Sequence, residues 1–227
     1  SFELYAGEVL GVVALEGQGQ EALFETLAGF ERPHTGTIEV DGTQVSFGHP
    51  AEAIAAGLTY VPGNRADALL AQRSVRENLA LPFSAKLRDW GPLKLKHESM
   101  RVRHAIERLQ IDTRAQGEVQ RLSGGNQQKV TIGRWLAKGV ETLLLFDPTR
   151  GIDVRTKRQI YPLARELSAN GAAVLFYTSE LEEVALACDR CIVIFNGRVV
   201  ATLDVAEADE QSLMRAAYGL TLKQVAS

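Results

Sequence analysis

The chain has 227 residues, 45% of them apolar and 23% charged, and 25 basic against 28 acidic side chains leave a net charge of -3. That length and apolar content can bury a core in one domain, or in a core with a subdomain. Lys and Arg are scattered through a slightly acidic whole, which excludes the basic footprint of a nucleic-acid binder. No run approaches the ~18 apolar residues that span a bilayer, and no signal-peptide blocks follow Ser1, so the expected setting is soluble and cytoplasmic.

Ala6-Gly7-Glu8 reads as a turn into a strand over 9–15, after which Glu16-Gly17-Gln18-Gly19 forms a glycine loop leading into a helix over 22–28. Strand, glycine loop and helix is the order of a phosphate-binding P-loop. The match to G-x-x-x-x-G-K-[ST] is poor, because Ala14 replaces the first glycine, Gln20 the lysine and Glu21 the hydroxyl residue. Asp41-Gly42 between Thr37-Ile38-Glu39-Val40 and Thr43-Gln44-Val45 predicts a hairpin. A short helix over 51–56, closed by Gly57, and a buried strand over 58–61 follow, and Pro62-Gly63-Asn64-Arg65 breaks the pattern.

To about Arg121 the composition turns helical and charged, with amphipathic stretches over 75–81 and 100–109 separated by Pro82 and Trp90-Gly91-Pro92. Residues 63–123 therefore read as an inserted helical subdomain, between core segments 1–62 and 124–204, with 205–227 as a helical tail. The run 143–146 suits a central parallel strand, and 155–170 a helix with Asp153 near its start, Gly171 past its end and Pro162 inside, where a kink is expected. A strand over 173–177, a helix over 181–187 and a hairpin over 191–203 around Asn196-Gly197 complete an α/β core. Cys188 and Cys191 form a C-x-x-C without a second pair, and His34, His49, His97 and His104 lack ligand spacing. Two buried thiols and no metal site are expected.

Leu122-Ser123-Gly124-Gly125-Asn126-Gln127-Gln128-Lys129-Val130 reads as a bare loop entering a helix, with Ser123 as N-cap. Uncovered N–H groups and the helix dipole favour an anion there; taken bare, a Ser-Gly-Gly before a helix is most often only a capped turn. The stretch resembles the signature motif of ABC-transporter ATPases, in the version carried by importers of sugars and nucleosides. Leu143-Leu144-Leu145-Phe146-Asp147-Pro148-Thr149-Arg150-Gly151-Ile152-Asp153 resembles that family's Walker B strand and D-loop.

The resemblance implies a P-loop ABC core, mainly parallel with an antiparallel β edge to which the hairpin at Asp41-Gly42 belongs, plus the helical insert facing membrane subunits. It implies ATP contacts at Gly17, Gln18, Gly19, Gln20, Glu21 and Ala22, and at Ser123, Gly124, Gly125, Gln127 and Asp153 toward a partner half. Phe146 falls where the Mg²⁺-organising aspartate belongs, Asp147 at the catalytic glutamate, Gly63 at the Q-loop and Ser179 at the switch histidine. A one-residue slip would put the base on Pro148, which cannot act. ATP hydrolysis needs neutralised phosphate charge, a held Mg²⁺ and a positioned water. The chain's own site is thus expected to be degenerate, with Glu21 able to occupy the phosphate's place, and Asp147 able to be a strand-end carboxylate bonded to nearby backbone.

The family's earlier strand and its adenine-stacking aromatic are missing before Ser1, so the chain resembles the second half of a two-half polypeptide. It is expected to meet another ABC half head to tail and complete that half's site for ATP and Mg²⁺. The other implied partners are permease subunits and, indirectly, an extracytoplasmic solute-binding protein, placing it peripherally on the cytoplasmic face of the membrane. A weak stand-alone ATPase and a non-catalytic module of a soluble ABC protein remain as alternatives.

Overall fold

In the computed structural model, which describes residues 1–84, 95–112, 117–206 and 208–220, six strands form one sheet. Their order is β4 (Leu58–Val61), β5 (Thr142–Phe146), β6 (Ala173–Tyr177), β1 (Val9–Ala14), β7 (Arg190–Phe195) and β8 (Arg198–Asp204). Neighbours pair in parallel except β7 with β8. The turn between those two holds Asn196 and Gly197 at φ 48° and 71°, the left-handed geometry a tight hairpin demands.

The parallel strands are apolar throughout because both faces of the sheet are covered. Along β1, Val9 and Val13 point into one core and Leu10 and Val12 into the other, the alternation of a strand. On the second side lies α1 (Gln20–Leu27), with Phe24 fully buried, and α2 (Pro50–Ala55). On the first lie α6 (Gly124–Lys138), α7 (Val154–Ala169), α8 (Leu181–Ala187) and α9 (Glu210–Ala217), whose Leu213, Ala216 and Ala217 are buried. The short helix α3 (Arg65–Ala68) and helices α4 (Val75–Ser84) and α5 (Leu95–Arg108) complete the described helices.

Helices α4 and α5 pack on α6, where a Cβ on Gly133 would lie 2.8 Å from Leu109 Cδ1 and 3.0 Å from Leu79 Cδ2. Their buried residues Leu79 and Val102, with Leu109 just past the end of α5, belong to the same apolar cluster as Val130, Leu143 and Val174. The helical segment thus shares one core with the sheet's first face.

Two local expectations change. Strands β2 (Ile38–Val40) and β3 (Thr43–Val45) pair around Asp41-Gly42 but form a two-stranded sheet of their own, and the antiparallel edge of the main sheet is β8. The pair is attached by side chains, since Ile38, Val40 and Val45 pack against the buried cluster around Phe24. Pro82 does not end α4, whereas α7 carries Pro162 within it as the sequence reads. In α7, burial of Ile160, Tyr161, Leu163 and Ala164 outweighs the one backbone bond that a proline removes. No described helix is long and apolar enough to cross a membrane, and part of the tail, 207 and 221–227, lies outside the described residues.

Asn78 of α4, fully buried, accepts from Leu70 N at 2.9 Å and donates to the carbonyls of Leu70 and Ser74. Its Oδ1 also accepts from Arg134 Nη2 at 3.3 Å, a guanidinium whose pKa burial pulls down to about 10. Asn78→Ala should therefore cost about 3 kcal/mol, through lost backbone bonds and a buried cation left short of acceptors. A urea midpoint with unchanged slope is the measurement.

Candidate functional site

Because β1, β5, β6 and β7 run parallel, their carboxyl ends share one edge, where α/β sheets place their ligand crevices. The glycine loop after β1 turns there with Gly17 at φ 77° and Gly19 at φ 101°. It is held by its surroundings: Gly197 N donates to Gln18 O at 2.9 Å, and Asn196 N donates to Gln18 Oε1 at 2.7 Å. A Cβ on Gly19 would meet Gly197 Cα at 3.2 Å, so only glycine fits beneath the β7–β8 turn.

Gln20, the lysine position, does not face outward. It is 2% exposed; its Oε1 accepts from Gln18 N at 3.1 Å and its Nε2 donates to Tyr177 Oη at 3.4 Å. Glu16, Glu21 and Ala22 are exposed around it. The Tyr177 ring stacks on Phe146 at 4.7 Å, and Phe24 meets Phe146 edge-on at 5.2 Å. Phe146, Tyr177 and Phe24 form an aromatic wall beside Gln20.

Asp147 follows Phe146 with φ 45° and is 5% exposed. Its N donates to Tyr177 O at 2.8 Å, and its Oδ1 accepts from Ser179 N and Ser179 Oγ, each at 3.4 Å. Burial raises its pKa against those two bonds. A Cβ on Gly63 would lie 3.0 Å from Phe146 O, so the segment after β4 passes too close to carry a side chain there. Asp147, Ser179 and Gly63 are brought together, and the geometry is that of a strand-end carboxylate bonded to a neighbouring turn.

The signature lies against Gly151 and Thr156, farther along the chain from Asp147. Ser123 is the N-cap of α6, its Oγ accepting from Asn126 N at 3.4 Å and Asn126 Nδ2 at 3.1 Å, and it is exposed. Gln127 folds inward, its Nε2 donating to Leu122 O at 3.0 Å. Gly125 is buried, and a Cβ there would lie 2.5 Å from Thr156 Oγ1. Asp153 caps α7, accepting from Thr156 N at 3.0 Å and Thr156 Oγ1 at 2.8 Å, bonds that lower its pKa. Beside the cap, Arg65 Nη1 donates to Arg150 O at 2.9 Å, and Arg65 Nη2 would lie 3.2 Å from a Cβ on Gly124.

A family profile described as ABC transporter matches residues 1–150. The chain belongs to the ABC-transporter family of ATP-binding domains. It is 39% identical over 221 residues to the ribose import ATP-binding protein RbsA of Bacillus subtilis (strain 168), covering 96% of this chain and 45% of that protein. It is 40% identical over 220 residues to the arabinose import ATP-binding protein AraG of Rhizobium etli, covering 96% and 44%. The chain thus spans less than half the length of these relatives. Among solved structures, a nucleotide-free ATP-binding cassette of an ABC transporter aligns with TM-score 0.78 at 21% identity, over 96% of this chain and 87% of that one. The cassette MJ1267 aligns with TM-score 0.80 at 21% identity, over 96% and 89%.

Within this ABC domain the residues of the P-loop do not fit a magnesium triphosphate. Gln20 is turned in, Glu16 and Glu21 add negative charge at the mouth, and Phe146 offers no oxygen to a cation. Glu21 is exposed, and the side-chain oxygen that accepts from the Gln18 N–H is that of Gln20.

Sequence reasoning missed two residues here. Tyr177 is one. The other is Glu183 of α8, 2% exposed, which accepts from Thr149 Oγ1 at 2.6 Å, Thr178 Oγ1 at 2.7 Å and Lys157 Nζ at 3.0 Å. It binds the D-loop, the end of β6 and α7 into one unit. Only the run of acids at 180–183 signalled it, and a solvated helix start looks the same.

The two buried carboxylates titrate in opposite senses. Burial pushes Glu183 up, but bonds from Thr149, Thr178, Tyr161 and Lys157 outweigh it and hold the group below its ordinary value of 4.5. Its stabilisation is therefore complete above that value and lost as pH falls through the folded pKa. Glu183→Ala should cost about 3–5 kcal/mol at pH 7, because the Thr149, Thr178 and Tyr161 hydroxyls lose their acceptor and Lys157 keeps only the exposed Glu180. Asp147 is raised, so its charged form opposes folding at neutral pH. Asp147→Asn keeps the acceptor and tolerates the left-handed backbone, and should raise the melting temperature at pH 7 with no gain in acid. Melting temperatures across pH separate the two.

Proposed function

We propose that the chain is a nucleotide-binding half of an ABC importer for a sugar, nucleoside or related solute. Its own P-loop is degenerate, and its signature completes the ATP site of a partner half. The observation that carries this reading is the contrast between the two ends of the chain's chemistry. At the P-loop, the residue that should bring positive charge is a buried glutamine. At the signature, Ser123 and Gly124 stay accessible at the start of a capped helix with Arg65 beside them.

Helix-start N–H groups with a nearby cation favour an anion. In the head-to-tail pair that anion is the phosphate end of ATP held, with Mg²⁺, by the other half. Asp147 and Ser179 are occupied with each other, so neither serves as a base for this half. The names of RbsA and AraG, ribose and arabinose import proteins, support a sugar as cargo. Permease subunits, and through them an extracytoplasmic binding protein, complete the assembly on the cytoplasmic face of the membrane.

Gly125 is a poor probe of this role, because any side chain there strikes Thr156 of the same chain. Ser123→Asp is the cleaner one, since aspartate keeps the cap while aiming a negative charge at the partner's phosphate. In the assembled pair of halves it should lower solute-stimulated ATPase at least ~100-fold, the scale of one lost transition-state donor or more, with equilibrium ATP binding unchanged. Ser123→Asn, a neutral cap, should retain more turnover than the aspartate. Turnover that survives Ser123→Asp would show that the work is done elsewhere. The isolated chain should show no micromolar, Mg²⁺-dependent binding of ATP by calorimetry.

A further inference from the structure

The loss of charge at the P-loop is not the whole of its closure. An anion-binding loop works by leaving inward N–H groups for the ligand's oxygens. Here the N–H of Gln18 is taken from within. It lies 3.2 Å from Leu15 O, a backbone turn contact, and 3.1 Å from Gln20 Oε1. A neutral amide oxygen thus stands where a ligand's oxygen would accept.

That amide is held in place by what lies behind it. Its Nε2 donates to Tyr177 Oη, and the Tyr177 ring cannot swing away, being stacked 25° from parallel on Phe146 with Phe24 against both. The strand registers dictate this meeting, since Tyr177 pairs with Val12 on one side and Phe146 on the other. Burial raises the Tyr177 pKa, while the bond from Gln20 pulls the other way; the phenol stays protonated at neutral pH.

We propose that Gln20 is a built-in substitute ligand of the P-loop, and that Tyr177 is the positioning residue that keeps it seated. The proposal rests on the reading that this half's own site is degenerate, and it makes a further claim: the loop is occupied as well as uncharged. Adding a cation alone should then do little. In Gln20→Lys the new side chain would start from the same buried position against the Tyr177 hydroxyl, whereas removing the seat as well should let it turn outward.

The test is calorimetric titration with inorganic tripolyphosphate and with ATP, with and without Mg²⁺. It is made on the chain as it stands and on a Glu16→Gln, Glu21→Gln background that removes repulsion from the exposed acids. In that background Gln20→Ala should tighten tripolyphosphate binding at least tenfold by removing the Gln20 Oε1 acceptor from the Gln18 N–H, which keeps only its turn contact to Leu15 O. Tyr177→Phe, which keeps the ring stack and so guards against unfolding, should give a smaller gain in the same direction. Gln20→Lys alone should gain less than threefold, and Gln20→Lys with Tyr177→Val at least tenfold more than that. If the unaltered chain is weak and none of these variants binds more tightly, the loop is not occupied by Gln20 and this proposal fails while the degenerate reading stands. If Gln20→Lys alone gives the full gain, Tyr177 has no positioning role. Micromolar Mg²⁺-dependent binding by the unaltered chain would overturn both the proposal and the reading beneath it.

Discussion

The parallel pairing of β1 between β6 and β7 is the constraint on which the rest depends. Its register sets Val12 opposite Tyr177 and Ala14 opposite Ile194, so the loop leaving β1 emerges between the end of β6 and the β7–β8 turn. Both neighbours then act on it. The turn clamps Gln18 from one side, and Tyr177 receives Gln20 from the other. A slip of one residue would reverse every side chain on β1 between the two cores and dissolve both contacts. Burial of Val9, Leu10, Val12 and Val13 at 1% exposure or less forbids that slip, at roughly 1.5–3 kcal/mol for each large side chain.

Charge is distributed across this frame with a consistent sense. Exposed Glu16 and Glu21 flank the P-loop, whereas Arg65 stands between the D-loop carbonyl of Arg150 and Gly124 of the signature. An anion approaching the first meets repulsion, and one approaching the second meets a guanidinium and a helix start. The buried ionic centre, Glu183 with Lys157, is bonded to Thr149 of the D-loop. Its strength comes from full hydrogen bonding of a desolvated carboxylate, the condition under which a buried pair stabilises. By fixing Thr149 and Thr178 together, it gives the D-loop and the turn after β6 a common anchor.

The strands were legible because a parallel strand buried on both faces must be apolar along its length: 143–146 and 173–177 differ from the observed β5 and β6 by at most one residue. Caps were legible for a similar reason, since Ser123 and Asp153 act on N–H groups three residues away. Contacts between distant residues were not. Gln20 and Tyr177 are 157 positions apart, and nothing in the spacing of either announces the other. Local rules failed at Pro82, where helix packing decides the outcome. They failed also at 38–45, where the hairpin was correct but its attachment, through three apolar side chains, leaves no mark in the pattern.

The glycines of the P-loop illustrate how the fold itself can require a motif. Gly17 and Gly19 are at φ 77° and 101°, backbone that side chains resist, and Gly19 is pressed against Gly197 Cα. These requirements come from the path between β1 and α1 and from the turn above it, and hold whether or not a phosphate is present. Position 20 is under no such constraint: any side chain able to reach the loop N–H and a partner behind it satisfies the fold. Gln20 meets that condition with one acceptor and one donor. The backbone signature of phosphate binding can therefore persist while the residue that carries the charge is exchanged, and a G-x-G after a strand reports a shape before it reports a ligand.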